Sequence, residues 1–239
     1  MLRRPACLLA LALVAGCTAS APASGPGAAT AATSVGDWTP LFDGATLAGW
    51  TAVGGGAAPS GWRVEDGAIH FAPGTGGGGD LVAPGTWGDF ELALDWKVGP
   101  CGNSGVFYRS ASAPGRPLYE TAPEYQVLDD TCHPDGRFPS HRAGSIYDLY
   151  AAAPGSTRAA GAWNEARIVA RGGHVEHWLN GTKVAEAEQE APGWAARVAA
   201  SKFRDAASFP GFGASPSGVI GVQDHGDPVW YRNVRIRSL

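Results

Sequence analysis

Apolar and polar residues alternate with a period of two through much of the chain, and that pattern predicts strands. Over Phe90 to Val98, the residues Phe90, Leu92, Leu94, Trp96 and Val98 share one face. Arg167-Ile168-Val169 is strand-like, His174 to Leu179 alternates again, and Thr182 to Ala185 follows after Asn180-Gly181. Asn-Gly between two such runs is a strong hairpin signal, because both residues accept the positive φ of a tight turn. Gly61 to Phe71 reads as another hairpin, turned at Asp66-Gly67. Val219 to Gln223 and Val229 to Arg237 add two more strands, the last with Trp230, Val234 and Ile236 on one side. Only Pro192 to Ala200 reads as helix, with proline tolerated in the first turn. Many short strands and no internal repeat imply an antiparallel β-sandwich rather than a propeller or solenoid. The glycine run Gly74 to Gly79 reads as a flexible surface loop, since no helix or lysine follows to make a phosphate cradle.

One strand breaks the apolar rule. Glu124-Tyr125-Gln126-Val127-Leu128-Asp129-Asp130 carries three carboxylates and an amide. A regular strand puts Glu124, Gln126 and Leu128 on one face and Tyr125, Val127 and Asp129 on the other. Buried, Glu124 and Gln126 need partners; exposed, they form a polar patch on a rigid sheet, suited to a polar ligand such as a sugar. Two flanking segments, Gly102 to Arg109 and Gly144 to Tyr150, are read with it as the site.

The ends and the cysteines place the chain. Arg3 and Arg4 precede an apolar run, Leu8 to Ala15, too short to span a membrane as a mature helix. The run ends in Leu13-Val14-Ala15-Gly16-Cys17, which resembles a bacterial lipobox. Residues 1–16 are thus expected to be a lipoprotein signal peptide, with Cys17 lipidated. Residues 17–36, rich in Ala, Ser, Gly and Pro, would be a flexible tether, and 37–239 a single domain. Thr18 rather than Asp after the cysteine points to an outer-membrane lipoprotein facing the periplasm. In that oxidising compartment the remaining pair, Cys101 and Cys132, is expected to form a disulfide bracing the site. The net charge is −4 with no basic cluster, which argues against a nucleic-acid partner.

Nine segments fall in an order that resembles a known family: Pro40-Leu41-Phe42-Asp43-Gly44, Leu47-Ala48-Gly49-Trp50, Asp89-Phe90-Glu91-Leu92, Asn103 to Arg109, Glu124 to Asp130, Trp163-Asn164, Asn180-Gly181, Ser201-Lys202-Phe203 and Ile220 to Gly226. They are similar to the 3-keto-disaccharide hydrolase-like family, first catalogued as domain of unknown function 1080. The resemblance covers the chain after the tether. It implies a concanavalin-A-like jelly-roll sandwich of two antiparallel sheets and cleavage of glycosides oxidised at C3. It also implies a sugar-oxidising dehydrogenase acting upstream. A C3 ketone acidifies the C2 proton; a base removes it, the C1 substituent leaves, and water adds back. Such a site needs a base, an acid for the leaving group, and a donor or cation for the enolate oxygen.

Glu124 is the first candidate for the working carboxylate, paired with Arg109 in either a catalytic or a purely structural role. His225 is the best group for proton transfer near neutral pH, and Lys202 could hold the enolate oxygen or act as base if desolvated. Asn103, Arg109, Gln126, Asp129, Tyr147, Gln223 and Asp224 are candidate substrate-binding residues, and one of Asp129 and Asp130 is expected to be only a turn residue. Tyr147, Tyr150, Trp62 and Trp96 could stack on a sugar, with packing favoured for Trp96. His133 and His141 could rim the site, whereas His174 and His177 read as surface or packing residues. The sequence requires no cofactor. A divalent metal ion is compatible with Glu124, Asp129, His225 and Asp148, though no spacing motif gathers them. The alternatives are a lectin-like carbohydrate-binding module without catalysis and a glycosidase with two carboxylates acting on unoxidised sugar. For the second, Glu124 has no obvious partner in the sequence.

Overall fold

The computed structural model describes residues 36–111 and 114–239. Cys17, the signal region and all but one residue of the expected tether lie outside the described residues. Thirteen strands and one α-helix are described. In chain order they are β1 (Thr39–Pro40), β2 (Thr51–Ala52), β3 (Trp62–Glu65), β4 (Ala68–Phe71), β5 (Leu81–Val82), β6 (Phe90–Val98), β7 (Asn103–Ser110), β8 (Glu124–Leu128), β9 (Asn164–Arg171), β10 (His174–Leu179), β11 (Thr182–Glu188), α1 (Pro192–Ala200), β12 (Val219–Val222) and β13 (Val229–Ser238).

The strands form two antiparallel sheets of a jelly-roll sandwich. The larger has the order β11-β10-β9-β6-β13-β4-β3, with β1 also paired to β13; the smaller has the order β2-β5-β12-β7-β8. Between them lies one large core in which Phe90, Leu92, Leu94, Trp96 and Val98 of β6 meet Val106, Tyr108, Tyr125, Val127, Ile220 and Val222 of the smaller sheet. The alternation of β6 therefore marks its buried face. The hairpins at Asp66-Gly67 and Asn180-Gly181 form with both turn residues at positive φ, and the helix spans Pro192–Ala200.

The last strand departs from its expected phase. Its pairing with β6 shifts register between Arg232 and Arg235, and Asn233 sits at φ 53°. This bulge inserts one residue, so Val229 and Tyr231 point inward before it and Val234 and Ile236 after it. Trp230 is thereby on the outer face, stacked on His70 at 4.3 Å with Lys97 Nζ 4.2 Å from its ring.

Candidate active site

The site is the outer face of the smaller sheet. Val82 and Phe107 pack there against Leu118 and Ala122 in a small second cluster, while their chain neighbours Leu81, Val106 and Tyr108 face the main core. Leu118 thus covers one end of the face. The other end is polar, and register explains why. Leu81 pairs with Val222, so Asp80, one residue back, lies beside Gln223. Gln223 N–H donates to Gly105 O at 2.9 Å, and Gly105 pairs with Gln126. Asp80, Gln223, Gly105 and Gln126 therefore form one row across four strands.

Glu124 stands two residues along β8 from Gln126 and reaches back over Gly105. A Cβ at Gly105 would come within 2.1 Å of Glu124 Oε1, so the absence of a side chain there opens the space that the carboxyl group fills. The residue is 5% exposed, and among the described residues its carboxyl group makes no hydrogen bond or ion pair. Burial pushes its pKa up to about 8; the Lys202 ammonium opposes the rise, and the charges of Asp80 and Asp135 add to it.

Lys202 and Tyr147 wall the β8 side. Tyr147 N–H donates to Glu124 O at 3.1 Å, which anchors the Tyr147 segment to β8. The ring stacks on His141 at 4.5 Å, carries Lys202 Nζ 4.2 Å from its centroid, and its hydroxyl donates to Asp135 Oδ2 at 3.3 Å. Burial, then the charges of Asp135, Glu124 and Asp148, raise the phenol well above its ordinary range. Lys202 is exposed as a residue, but its backbone N–H is fixed by Asp148 Oδ2 at 2.8 Å.

Asn103 and His225 form the rim. Asn103 Nδ2 lies 3.4 Å from His225 Nε2, and Asn103 N–H donates to Asp227 Oδ2 at 3.1 Å. Among the described residues Asn103 Oδ1 and Gln223 Oε1 are buried without a partner, so each is an acceptor available to a ligand hydroxyl. The expected bond between Cys101 and Cys132 is present, with Cα atoms 4.6 Å apart. It ties the loop before β7 to the loop after β8, beside His133.

Several expected site residues do other work. Arg109 does not pair with Glu124. It sits at φ 53° where β12 and β7 slip register, and the bulge turns it away from the polar row. Its guanidinium donates to Gly88 O, Gly172 O, Gln189 Oε1 and Asp89 Oδ1, clamping three loops from a position 2% exposed. Asp129 is occupied by its own turn, accepting from Thr131 N–H, Thr131 Oγ1 and Cys101 N–H. Asp130 also serves the backbone, accepting from Ala143 N–H and Thr157 Oγ1. Asp224 accepts from Gly79 and Gly226 N–H, and so fastens the glycine run to the end of β12. That run is pinned, not loose: Gly77 N–H also donates to Ser60 Oγ, and Gly79 O accepts from Trp62 Nε1. Trp62 is core, against Phe71; Tyr150 stacks on Trp194 under Arg197. His177 is fully buried, its ring nitrogens 3.0 Å from Gly144 O and 3.1 Å from the Tyr108 hydroxyl.

The four residues with ligand chemistry are not brought together either, since Asp129 and Asp148 are committed elsewhere. His225 instead joins His133 and Asp227, whose donor atoms lie within 4.8 Å of one another. Against a metal there, His133 Nδ1 accepts from Asp135 N–H at 3.1 Å. That bond leaves the ring proton on Nε2, so neither nitrogen can take a cation without breaking or changing it.

The structure adds Asp80 and Asp135 to the sequence candidates. Asp80 Oδ1 accepts from Asp224 N–H at 3.1 Å, and burial raises its pKa to about 6. It precedes a two-residue strand, too short to show a period, and its register with Gln223 leaves no mark in sequence.

Known sequences and structures resemble the chain closely. A family described as 3-keto-alpha-glucoside-1,2-lyase-like matches residues 37–237. A 3-keto-disaccharide hydrolase of Bacteroides thetaiotaomicron is 35% identical over 224 residues, covering 83% of this chain and 77% of that relative. A crystal structure from Parabacteroides distasonis, of a protein proposed to be a glycosyl hydrolase, has a TM-score of 0.75 at 33% identity, over 84% of this chain and 94% of that one. A Bacillus subtilis protein with a galectin-like fold, at 14% identity and TM-score 0.55, over 84% of this chain and 94% of that one, shares the sandwich alone.

Proposed function

The chain belongs to the 3-keto-alpha-glucoside-1,2-lyase-like family, and on that premise we propose that it cleaves 3-keto-glycosides or 3-keto-disaccharides on the outer face of the smaller sheet. The observation that carries this reading is the buried carboxyl group of Glu124, without a hydrogen bond among the described residues and set over Gly105. A desolvated carboxyl group with its pKa near working pH is suited to moving a proton. Lys202, held over Tyr147, supplies positive charge for the enolate oxygen that forms when the C2 proton leaves. Asn103 and Gln223 offer acceptors to sugar hydroxyls. His225, at the exposed rim beside Asn103, serves binding rather than proton transfer. Loss of the C1 substituent followed by addition of water gives net hydrolysis.

We extend the reading to the cell envelope: cleavage before Cys17, lipidation of that residue, and a tethered domain beginning near residue 37 on the periplasmic side. A dehydrogenase that oxidises C3 must supply the substrate, because the chemistry needs the ketone.

The test is a time course with a 3-keto-disaccharide and its unoxidised parent. The wild type cleaves only the keto sugar, and Glu124→Gln loses that turnover by at least a hundredfold. Equal cleavage of both sugars, or binding of both with no turnover, refutes the proposal.

A further inference from the structure

The polar row holds a second carboxyl group, and its surroundings differ from those of Glu124 in a way that assigns roles. Asp80 and Glu124 reach the same row of the sheet from opposite sides. Asp80 lies at the β5 end of the row, beside Gln223; Glu124 comes from the β8 end and reaches over Gly105. The backbones of Asp80, at β5, and Gly105, on β7, are two strand spacings apart, about 10 Å, with only Gln223 between them in this row. A sugar ring seated over Gln223, between Asp80 and the Glu124 carboxyl group above Gly105, would therefore have one carboxyl group on each side.

The two groups are solvated differently by the protein. Asp80 accepts a hydrogen bond from the backbone N–H of Asp224 at 3.1 Å, a donor that stabilises an ionised carboxylate. Among the described residues Glu124 has no hydrogen-bond donor, a setting that keeps a carboxylic acid neutral. We propose that Asp80 is the base that removes the C2 proton and that Glu124 is the acid that protonates the departing C1 oxygen. This rests on the reading above that the face cleaves 3-keto-glycosides. The pKa directions agree with it: Asp80 is raised to about 6 and Glu124 to about 8, so between those pH values Asp80 is ionised and Glu124 is protonated.

The steps balance. The C2–H bond breaks, its proton passes to the Asp80 carboxylate, and its electron pair becomes the enolate across C2, C3 and the C3 oxygen. The enolate collapses to a C1–C2 double bond with the C3 ketone restored; the C1–O bond breaks, and the leaving oxygen takes the Glu124 proton. Water then adds its oxygen to C1, giving a proton to the Glu124 carboxylate, while C2 takes back the proton held by Asp80. Both groups end as they began, and no oxidant or reductant is consumed.

Exchange at C2 separates the two roles. In D2O the wild type with a 3-keto-1,5-anhydroglucitol, which has no leaving group at C1, should exchange its C2 hydrogen, followed by proton NMR, with an acid limb near pH 6. Asp80→Asn should lose exchange at least a hundredfold; Glu124→Gln should keep it within about threefold. Glu124→Gln should also regain cleavage on a 3-keto-glucoside with a nitrophenyl leaving group, which departs without an acid, whereas Asp80→Asn should not. Exchange that survives in Asp80→Asn, or vanishes in Glu124→Gln, overturns the assignment, as does a wild-type acid limb near pH 8, which needs no variant. A wild type that neither exchanges nor cleaves refutes the proposed function itself, an outcome distinct from the others.

Discussion

The buried carboxyl group of Glu124 should make the fold sensitive to alkaline pH, by an amount that can be worked out. Its pKa rises from an ordinary 4.5 to about 8 on folding. A group raised in the folded state contributes most below its unfolded value, and the contribution is lost as pH climbs through the folded one. At about 1.4 kcal/mol per pKa unit, the raised pKa lowers stability by about 1 kcal/mol at pH 5, where only the unfolded chain ionises, and by about 5 kcal/mol at pH 9. Replacing Glu124 with glutamine keeps the shape and removes the titration. The stability gap between Glu124→Gln and wild type should therefore widen by about 4 kcal/mol from pH 5 to pH 9. Urea unfolding followed by tryptophan fluorescence would read it, since a slope of roughly 2 kcal/mol per molar turns the gap into a midpoint shift of about 2 M. If the two proteins keep a constant difference across that range, Glu124 is solvated in the native state and its proposed role loses its physical basis.

Other sites give independent tests. Gly105→Ala places a Cβ within 2.1 Å of Glu124 Oε1; it should cut turnover of a keto-glycoside by at least a hundredfold while the folded protein keeps its circular dichroism. Arg109→Ala removes four hydrogen bonds and should cost about 1–3 kcal/mol in urea unfolding, with turnover per folded molecule little changed. His177, fully buried, is held down to about 4 by desolvation. Its contribution is intact above its ordinary 6.5 and lost as pH falls toward 4, so wild type should lose about 3 kcal/mol over that interval, and His177→Gln should lose much less. Replacing Cys101 and Cys132 together with serine opens a loop of 31 residues and should lower stability by about 3–4 kcal/mol.

The sandwich was legible because its long strands carry the period of a half-buried sheet, β6 most clearly. Glu124 and Gln126 were legible as a polar intrusion into an apolar strand. What sequence could not supply was phase and register. One extra residue at Asn233 reverses the side of Trp230, and another slip at Arg109 sends that guanidinium away from Glu124. Asp80 was hidden for the same reason: its neighbours in the site, Gln223 and Glu124, lie far along the chain, and only strand pairing brings them near. The acidic turns at Asp129 and Asp224 resemble site residues in type, and only their hydrogen bonds to backbone N–H groups reveal them as loop fasteners.

The order of the smaller sheet also bears on how the protein matures. Strand β12 lies between β5 and β7, so nothing pairs Asp80 with the Gly105 strand until Val219–Val222 has entered the sheet. A chain growing from its N-terminus holds both carboxyl groups long before it holds the strand that registers them. Contacts of such high sequence separation form slowly. Activity should therefore appear late in refolding, after the hairpins of the larger sheet, and a chain ended before Val219 should never acquire it. In the exported enzyme proposed above, that topology would act as a built-in delay.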